Sequence, residues 1–481
     1  MLFNSFAFIL YLPIVFLLYW FVFKSLKWQN VFVVVASYVF YGWWDWRFLI
    51  LIAVTSILSF LSGIGIERGR SRKTRLFILW ANVIVNLGIL ATFKYFNFFV
   101  DNLQALLSPL GVHFDAITIN LILPVGISFY TFQALSYSID VYRGKIKATR
   151  NLPAFLAFIS FFPQLVAGPI ERATNLLPQF LKKRTFDYPL AVDGCRQILW
   201  GLFKKMVVAD NCAPAVNAIF GNFEELGGIN LWIGALLFTF QIYGDFSGYS
   251  DIAIGVSKLF GIKLMKNFNV PYFSRDVAEF WRRWHISLNT WFVDYVYIPL
   301  GGSRNGKGKA IRNTFAIFLI SGLWHGADWT FVIWGAYHAS LFVPLALIGQ
   351  SHRFKTGTVA PNRWLPTMSE SAMMGLTFLL VLIGWVIFRA DHISEAWAYL
   401  CRMFTNFSFV RNSLATIIPA LVWANIMLLI EWVMRHHPHP FSIYGHGLLK
   451  YKTWRWFCYV LLALICLTFK GQSGEFIYFQ F

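Results

Sequence analysis

Apolar runs recur along the whole chain, at 6–23, 30–42, 48–63, 76–99, 117–138, 194–210, 229–243, 329–349, 372–388, 413–433 and 455–469. A helix needs roughly 20 apolar residues to cross a bilayer, so the longer runs read as spans and the shorter ones as tilted or re-entrant segments. Lipid leaves no partner for irregular backbone, so the predicted fold class is all-α: a polytopic membrane helical bundle with re-entrant and interfacial helices around a central funnel. The first run has no basic leader and no small-residue cleavage site, which reads as a retained helix rather than a signal peptide. No linker, low-complexity tract or 20–50-residue repeat interrupts the pattern. One membrane-embedded domain over 1–481 is therefore expected, with 281–339 as its core, and inverted-repeat transporters lose ground.

Three stretches depart from the simple run-and-loop pattern. Residues 152–170, LPAFLAFISFFPQLVAGPI, lie between two basic loops and are broken by Pro163 and Gly168-Pro169. A segment entering and leaving on one side reads as re-entrant and lining a funnel open to the cytoplasm. The stretch 258–312 is too charged to span yet dense in aromatics. Trp281, Trp284, Leu288, Trp291 and Tyr295 follow one another at helical spacing, which predicts one amphipathic helix at the membrane surface, with His285 at the stripe's edge and Arg282 and Arg283 turned away. Pro299 and Gly301-Gly302 end it. The run 313–325 is then too short for a full crossing, at about 20 Å of helical rise, and ends at His325. Asp328 is expected to cap a returning helix over 329–349, giving a hairpin with an imidazole at its buried tip.

Composition agrees with membrane residence: 58% of residues are hydrophobic, 13% are charged, and the mean hydropathy is +0.58. The net charge of +19 is not a nucleic-acid signal, because the basic residues fall in short loops at 67–75, 143–150, 172–184, 303–312 and 352–357. These would face the cytoplasm, while 101–116 and 221–228, which carry acids and no Lys or Arg, would face outward. The same basic loops admit a second reading, a cationic mouth for a phosphate-bearing donor, built from Arg282, Arg283, Arg304, Lys307 and Lys309 with Lys204 and Lys205. Cys195, Cys212, Cys401, Cys458 and Cys466 fall singly, with no disulfide framework and no zinc spacing, and no metal site is expected.

An ionisable side chain at membrane depth is costly, and imidazole is the group suited to proton transfer near neutral pH. His285 and His325 are thus the candidate catalytic pair, against the alternative of satisfied interhelical hydrogen-bonders. His338 reads as structural, and His436, His437 and His439 as a solvated loop or a loose metal site. Tyr243, Asp245, Ser247, Tyr249 and Asp251 either line a cavity or break a helix. A nucleophile elbow, P-loop, GxGxxG and HExxH are all missing; GDFSG at 244–248 has its serine one place late. What remains is group transfer from a pre-activated donor.

The segments around the two histidines, EFWRRWHISLNTWF (279–292) and SGLWHGADWTFVIWGAYHA (321–339), resemble the membrane-bound O-acyltransferase family, as do 1–20, NFNVPYF (267–273), YIPLGGSR (297–304) and the closing FIYFQF (476–481). The likeness is nearest the alginate O-acetyltransferase branch; the D-alanine-transferring branch shares WRRWHISL. The resemblance implies a bundle around a funnel, His325 as the essential residue, and His285, 40 positions earlier (325 − 285), as its polar companion. It implies an acyl group taken from a cytoplasmic thioester, acetyl-CoA or another acyl thioester, with no resident cofactor. It further implies delivery toward hydroxyls of an extracytoplasmic polysaccharide (alginate-like, cellulose or peptidoglycan) through periplasmic partners and a synthase complex, in a bacterial inner membrane. Trp281 and Trp324 would wall the site against water, and Arg282, Arg283, Asp328, Tyr243, Asp245, Ser247 and Asn289 would line it; Asn289 stands where the branch often has Ser. A proton-coupled transporter or flippase, a D-alanyl transferase and an exporter scaffold are the other readings.

Overall fold

A computed structural model of the chain describes residues 1–111, 123–166, 168–304, 306–355, 357–411, 414–442, 450–472, 474 and 476–477. The start of the apolar run at 117–138, the end of the outward loop at 101–116, and most of the closing FIYFQF lie outside the described residues, as do Ala167, Asn305 and Thr356. Among the described residues every regular element is helical and no strand occurs. Five helices are long and apolar enough to cross a membrane: Phe48–Arg68, Arg72–Lys94, Trp329–Leu347, Met368–Arg389 and Leu414–Val433. The protein is all-α and multi-pass.

The chain divides into two compact units, the first being 1–192 with 256–265. It contains α1 (Phe6–Leu17), α2 (Leu26–Gly42), α3 (Phe48–Arg68), α4 (Arg72–Lys94), α5 (Phe96–Leu107), α6 (Ile127–Tyr142), α7 (Leu152–Ser160), α8 (Phe162–Leu165) and α9 (Ala173–Leu181). Ser5, Ser25 and Ser71 cap α1, α2 and α4 by accepting from a backbone N–H three residues on. Helix α3 packs against α4 and α6, and α2 against α7. Large apolar side chains such as Phe6, Phe77 and Ile84 stand outward, as a lipid-facing surface requires.

The stretch expected to re-enter is the helix pair α7 and α8, broken at Phe161 and too short to span. Its freed backbone is satisfied by buried side chains. Gln164 Nε2 donates to the Phe158 carbonyl at 2.8 Å, and the Phe162 N–H donates to Ser37 Oγ at 3.0 Å. Irregular backbone persists here because protein, not lipid, surrounds it.

The second unit is 193–255 with 266–481. Helix α10 (Tyr188–Leu202) widens into π-type winding over Phe203–Ala209 and continues as α11 (Asp210–Gly221). Helix α12 (Gly228–Leu259) runs unbroken for 32 residues, so Tyr243 to Asp251 are not helix breakers. Tyr243, Asp245 and Asp251 find partners on neighbouring elements, Glu431, Lys205 and Lys204, which removes their reason to break the helix.

The single surface helix predicted over 281–295 is not formed. Helix α13 (Val277–Arg283) and α14 (Ile286–Phe292) are separated at Trp284 and His285, and the chain then winds π-like over Val293–Tyr297. The regular aromatic spacing is real, but tertiary hydrogen bonds to 267–269 override it. Helices α15 (Lys307–His325) and α16 (Trp329–Leu347) form the expected hairpin, although α15 begins six residues before 313. Their backbones nearly touch: a Cβ on Gly322 would lie 2.2 Å from the Phe331 carbonyl oxygen, and one on Gly335 2.3 Å from that of Phe318. Only glycine permits this approach. Helix α17 (Met368–Arg389) opens on a Thr367/Glu370 capping box and packs against α16. Helices α18 (Ile393–Thr405), α19 (Leu414–Val433) and α20 (Lys452–Thr468) complete the unit, with α19 against α11.

Candidate active site

Helix α15 ends at His325 because Gly326 leaves the helix in extended backbone, and Asp328 starts α16 by accepting from the Thr330 N–H at 2.8 Å. The turn between them is held by Phe331, whose ring occupies the space a side chain on residue 326 would need. His325 is thereby fixed at the hairpin tip, 4% exposed. Three aromatic rings meet the imidazole edge-on: Trp324 at 4.9 Å, Trp334 at 5.2 Å and Phe388 at 5.4 Å between centroids.

His285 reaches the same indole from another element. Its ring centroid lies 5.8 Å from Trp324 and 4.6 Å from Phe246. Its backbone is left-handed (φ 44°, ψ 53°), a conformation that costs a non-glycine residue about 1–3 kcal/mol and must be held by its surroundings. Asn289 holds part of it. Its Nδ2 donates at 2.6 Å to each of the Trp281 and Trp284 carbonyls, which the interrupted helix leaves without N–H partners. His285 lies outside the five spans, and burial pushes its imidazole down to about 3, so the ring is neutral at physiological pH.

Asn267 faces His285 directly, with Oδ1 3.1 Å from His285 Nδ1. Sequence reasoning missed Asn267, although it heads the NFNVPYF segment. An asparagine carries no charge or periodicity by which its destination could be read.

The remaining predicted residues fall into distinct settings. Trp281 is buried and packs on Trp334 and His338 at 5.5 and 4.9 Å, bringing His338 against the aromatic cluster rather than into a chain of polar groups. Arg282 Nη1 donates to the Ser351 carbonyl at 2.7 Å. Arg283 is not turned outward: it is buried, pairs with Glu279 at 2.7 Å, and donates to the Gly357 carbonyl. Charge with nothing to solvate it needs such a partner. Lys204 and Lys205, placed at an exposed mouth by sequence, are also buried. Lys204 pairs with Asp251 at 2.5 Å, and Lys205 with Asp245 at 2.7 Å and Asp210 at 2.9 Å. Asp245 also accepts from the Ile477 N–H at 2.6 Å, which anchors that residue beside α12.

Tyr243 and Ser247 line a small cavity of about 40 Å³ with Lys204, Asp251, Asn267 and Glu431, room for two or three waters. Tyr243 Oη lies 2.8 Å from Glu431 Oε1. Glu431 is the one acid in the 413–433 run, a signal the sequence did offer, since a carboxyl in a span seldom lacks a purpose. His439 is not solvated: its Nε2 is 2.9 Å from Asp193 Oδ1 and it is buried, while His436 meets Thr358 Oγ1 at 2.6 Å.

Chemically, the arrangement offers two buried imidazoles beside one indole, walled by aromatic rings that exclude water. Such a site suits proton transfer to and from a hydroxyl or thiol near a bond that water would otherwise hydrolyse.

Comparison with known proteins gives the chemistry a context. Residues 145–385 match the profile of MBOAT, the membrane-bound O-acyltransferase family. The chain is 42% identical over 410 residues, 84% of its own length and 78% of the relative's, to a probable alginate O-acetylase of Azotobacter vinelandii. It is 31% identical over 532 aligned positions, spanning 100% of this chain and 98% of the relative, to a peptidoglycan O-acetyltransferase of Helicobacter pylori. A teichoic acid D-alanyltransferase of Bacillus subtilis is 31% identical over 290 residues, 56% of this chain and 69% of the relative.

Proposed function

The chain belongs to the membrane-bound O-acyltransferase family, and on that premise we propose that it moves an acetyl group from a cytoplasmic thioester toward hydroxyls of an extracytoplasmic polysaccharide. The single observation that carries the site assignment is the placing of His285 and His325 around Trp324 inside an aromatic wall. His325 takes the proton of the accepting hydroxyl; its oxygen attacks the thioester carbonyl; the C–S bond breaks; and the imidazolium returns the proton to the leaving thiolate. His285 positions the accepting group. The protein resides in a bacterial inner membrane and passes acetyl to periplasmic partner enzymes that complete delivery to the polymer, the donor being acetyl-CoA or an acyl carrier. Alginate-like polymer is the preferred acceptor, because the relatives named for alginate share the higher identity.

Purified protein in lipid nanodiscs, given acetyl-CoA labelled in its acetyl group, tests the reading. Turnover or labelling by the wild type, lost in His325→Ala at unchanged protein level, is the expected result. A general base contributes about 10²–10⁴ in rate, so the loss should be of that order. Proton-gradient-driven flux of a polymer precursor with no use of the thioester would instead make the protein a transporter.

A further inference from the structure

We propose that Asn267 is a positioning residue that fixes His285 as the Nδ1–H tautomer, so that the imidazole offers Nε2 as a lone pair to a hydroxyl or thiol and not as a donor to a carbonyl oxygen. This deepens, and rests on, the acyl-transfer reading above.

The orientation of the Asn267 amide is set by one group that can only donate. The Ser287 backbone N–H lies 3.3 Å from Oδ1, and nothing but an oxygen can face it. Ser287 Oγ is 2.8 Å from the same oxygen, while Asn267 Nδ2 donates to Ser250 Oγ at 3.2 Å on its other side. Ser287 Oγ also lies 3.4 Å from His285 Nδ1, but its single proton is given to Asn267 Oδ1, so with that oxygen presented to Nδ1 at 3.1 Å the proton sits on Nδ1. An unprotonated Nδ1 would bring two lone pairs together inside the protein, where such a clash is costly; Asn267 is fully buried and His285 is 1% exposed. Nε2, on the opposite edge of the ring, makes no hydrogen bond among the described residues. It is therefore an acceptor without a donor.

The segment carrying Asn267 is itself fastened across the helix break. The Ile286 N–H donates to the Asn267 carbonyl at 2.9 Å, and the Asn269 N–H to the Arg283 carbonyl at 2.9 Å. Arg283 Nη1 donates to the Asn269 carbonyl at 3.2 Å. Residues 267–269 thus act as a strap on both sides of His285, holding its left-handed backbone and its ring together. Side-chain and main-chain atoms of one residue set both where the imidazole sits and which nitrogen carries the proton.

A hydroxyl or thiol brought to Nε2 donates into the lone pair and presents its oxygen or sulfur for reaction. A thioester carbonyl gains nothing there. His285 accordingly belongs to the acceptor side of the reaction rather than to stabilisation of the carbonyl oxygen.

The test measures kcat and KM against pH for Asn267→Asp, Asn267→Leu and Ser287→Ala in nanodiscs with labelled acetyl-CoA and a soluble hydroxyl acceptor. Asn267→Asp keeps an acceptor at Nδ1 but adds charge that favours the imidazolium, so the acid limb of kcat should move up by at least one pH unit. Asn267→Leu should lower kcat tenfold or more with KM for the thioester within twofold, and should add nothing in a His285→Gln background. An unmoved acid limb in Asn267→Asp, or a full additive loss for Asn267→Leu in the His285→Gln background, overturns the proposal. Should Asn267→Leu fail to fold, the Asn267→Asp profile alone decides. A wild type that transfers no acetyl fails the functional reading instead, so the two failures are distinguishable.

Discussion

His285 and His325 lean on the same indole, with centroids 5.8 and 4.9 Å from the ring of Trp324. One comes from a left-handed break between two short helices, the other from the last residue of a long one. Trp324 is thus a spacer whose rigidity sets the separation of the two imidazoles. Four consequences can be measured.

Asn289 supports the break rather than a ligand, since its amide closes on two carbonyls at 2.6 Å. Asn289→Ala leaves both without that partner, which should cost about 1–3 kcal/mol. Asn289→Asp should not restore it, because a carboxylate cannot donate. Thermal unfolding in detergent checks both variants; an Asp variant as stable as wild type would show that donation is not what matters.

Lys205 sits between Asp210 and Asp245, all three nearly inaccessible. Lys205→Met strips this ammonium from two buried carboxylates. Removing one partner of such a set costs about 3–5 kcal/mol. The triple change Lys205→Met with Asp210→Asn and Asp245→Asn should recover much of the loss, as read by folded yield and melting temperature.

Gly322 has no room for a side chain against the Phe331 carbonyl. Gly322→Ala should part α15 from α16 and shift His325, lowering activity well before the protein fails to insert. A 1 Å misplacement can cost about 10²-fold in rate. The measurement is kcat in membranes normalised to protein amount; unchanged kcat would mean that the hairpin tolerates the added methyl.

His285 is held down to about 3 by burial, against an ordinary value of 6.5. Below pH 6.5 the unfolded chain binds a proton that the folded site refuses, so stability should fall on acidification over that window. Melting temperatures between pH 7.5 and 5 should therefore drop less steeply in His285→Gln than in wild type. Equal slopes would show that His285 takes up its proton without unfolding.

Much of the architecture was legible in order along the chain. Long apolar runs fixed the class, since lipid admits only backbone that satisfies itself, and α3, α4, α16, α17 and α19 follow from run length and hydropathy. The hairpin with His325 at its tip was legible for a local reason: Gly326 and Asp328 stop one helix and start the next within four residues. Glu431 stood open to a similar reading, as an acid inside an apolar run, but was not singled out from the sequence.

Other features were decided only when distant segments met. Periodicity over 281–295 argued for one helix, yet the carbonyl and N–H groups of 267–269 drew the chain apart at His285. Basic residues near a loop read as an exposed mouth, but Lys204, Lys205 and Arg283 each found an acid and went inside. The sequence by itself determined which segments lie in lipid and which two imidazoles are candidates, because hydropathy and caps act over a few turns. The tertiary structure alone decided which nitrogen of His285 bears the proton and that Lys204 and Lys205 are buried, because each depends on a partner on another element, Asn267, Asp251 or Asp245, whose approach no local pattern encodes.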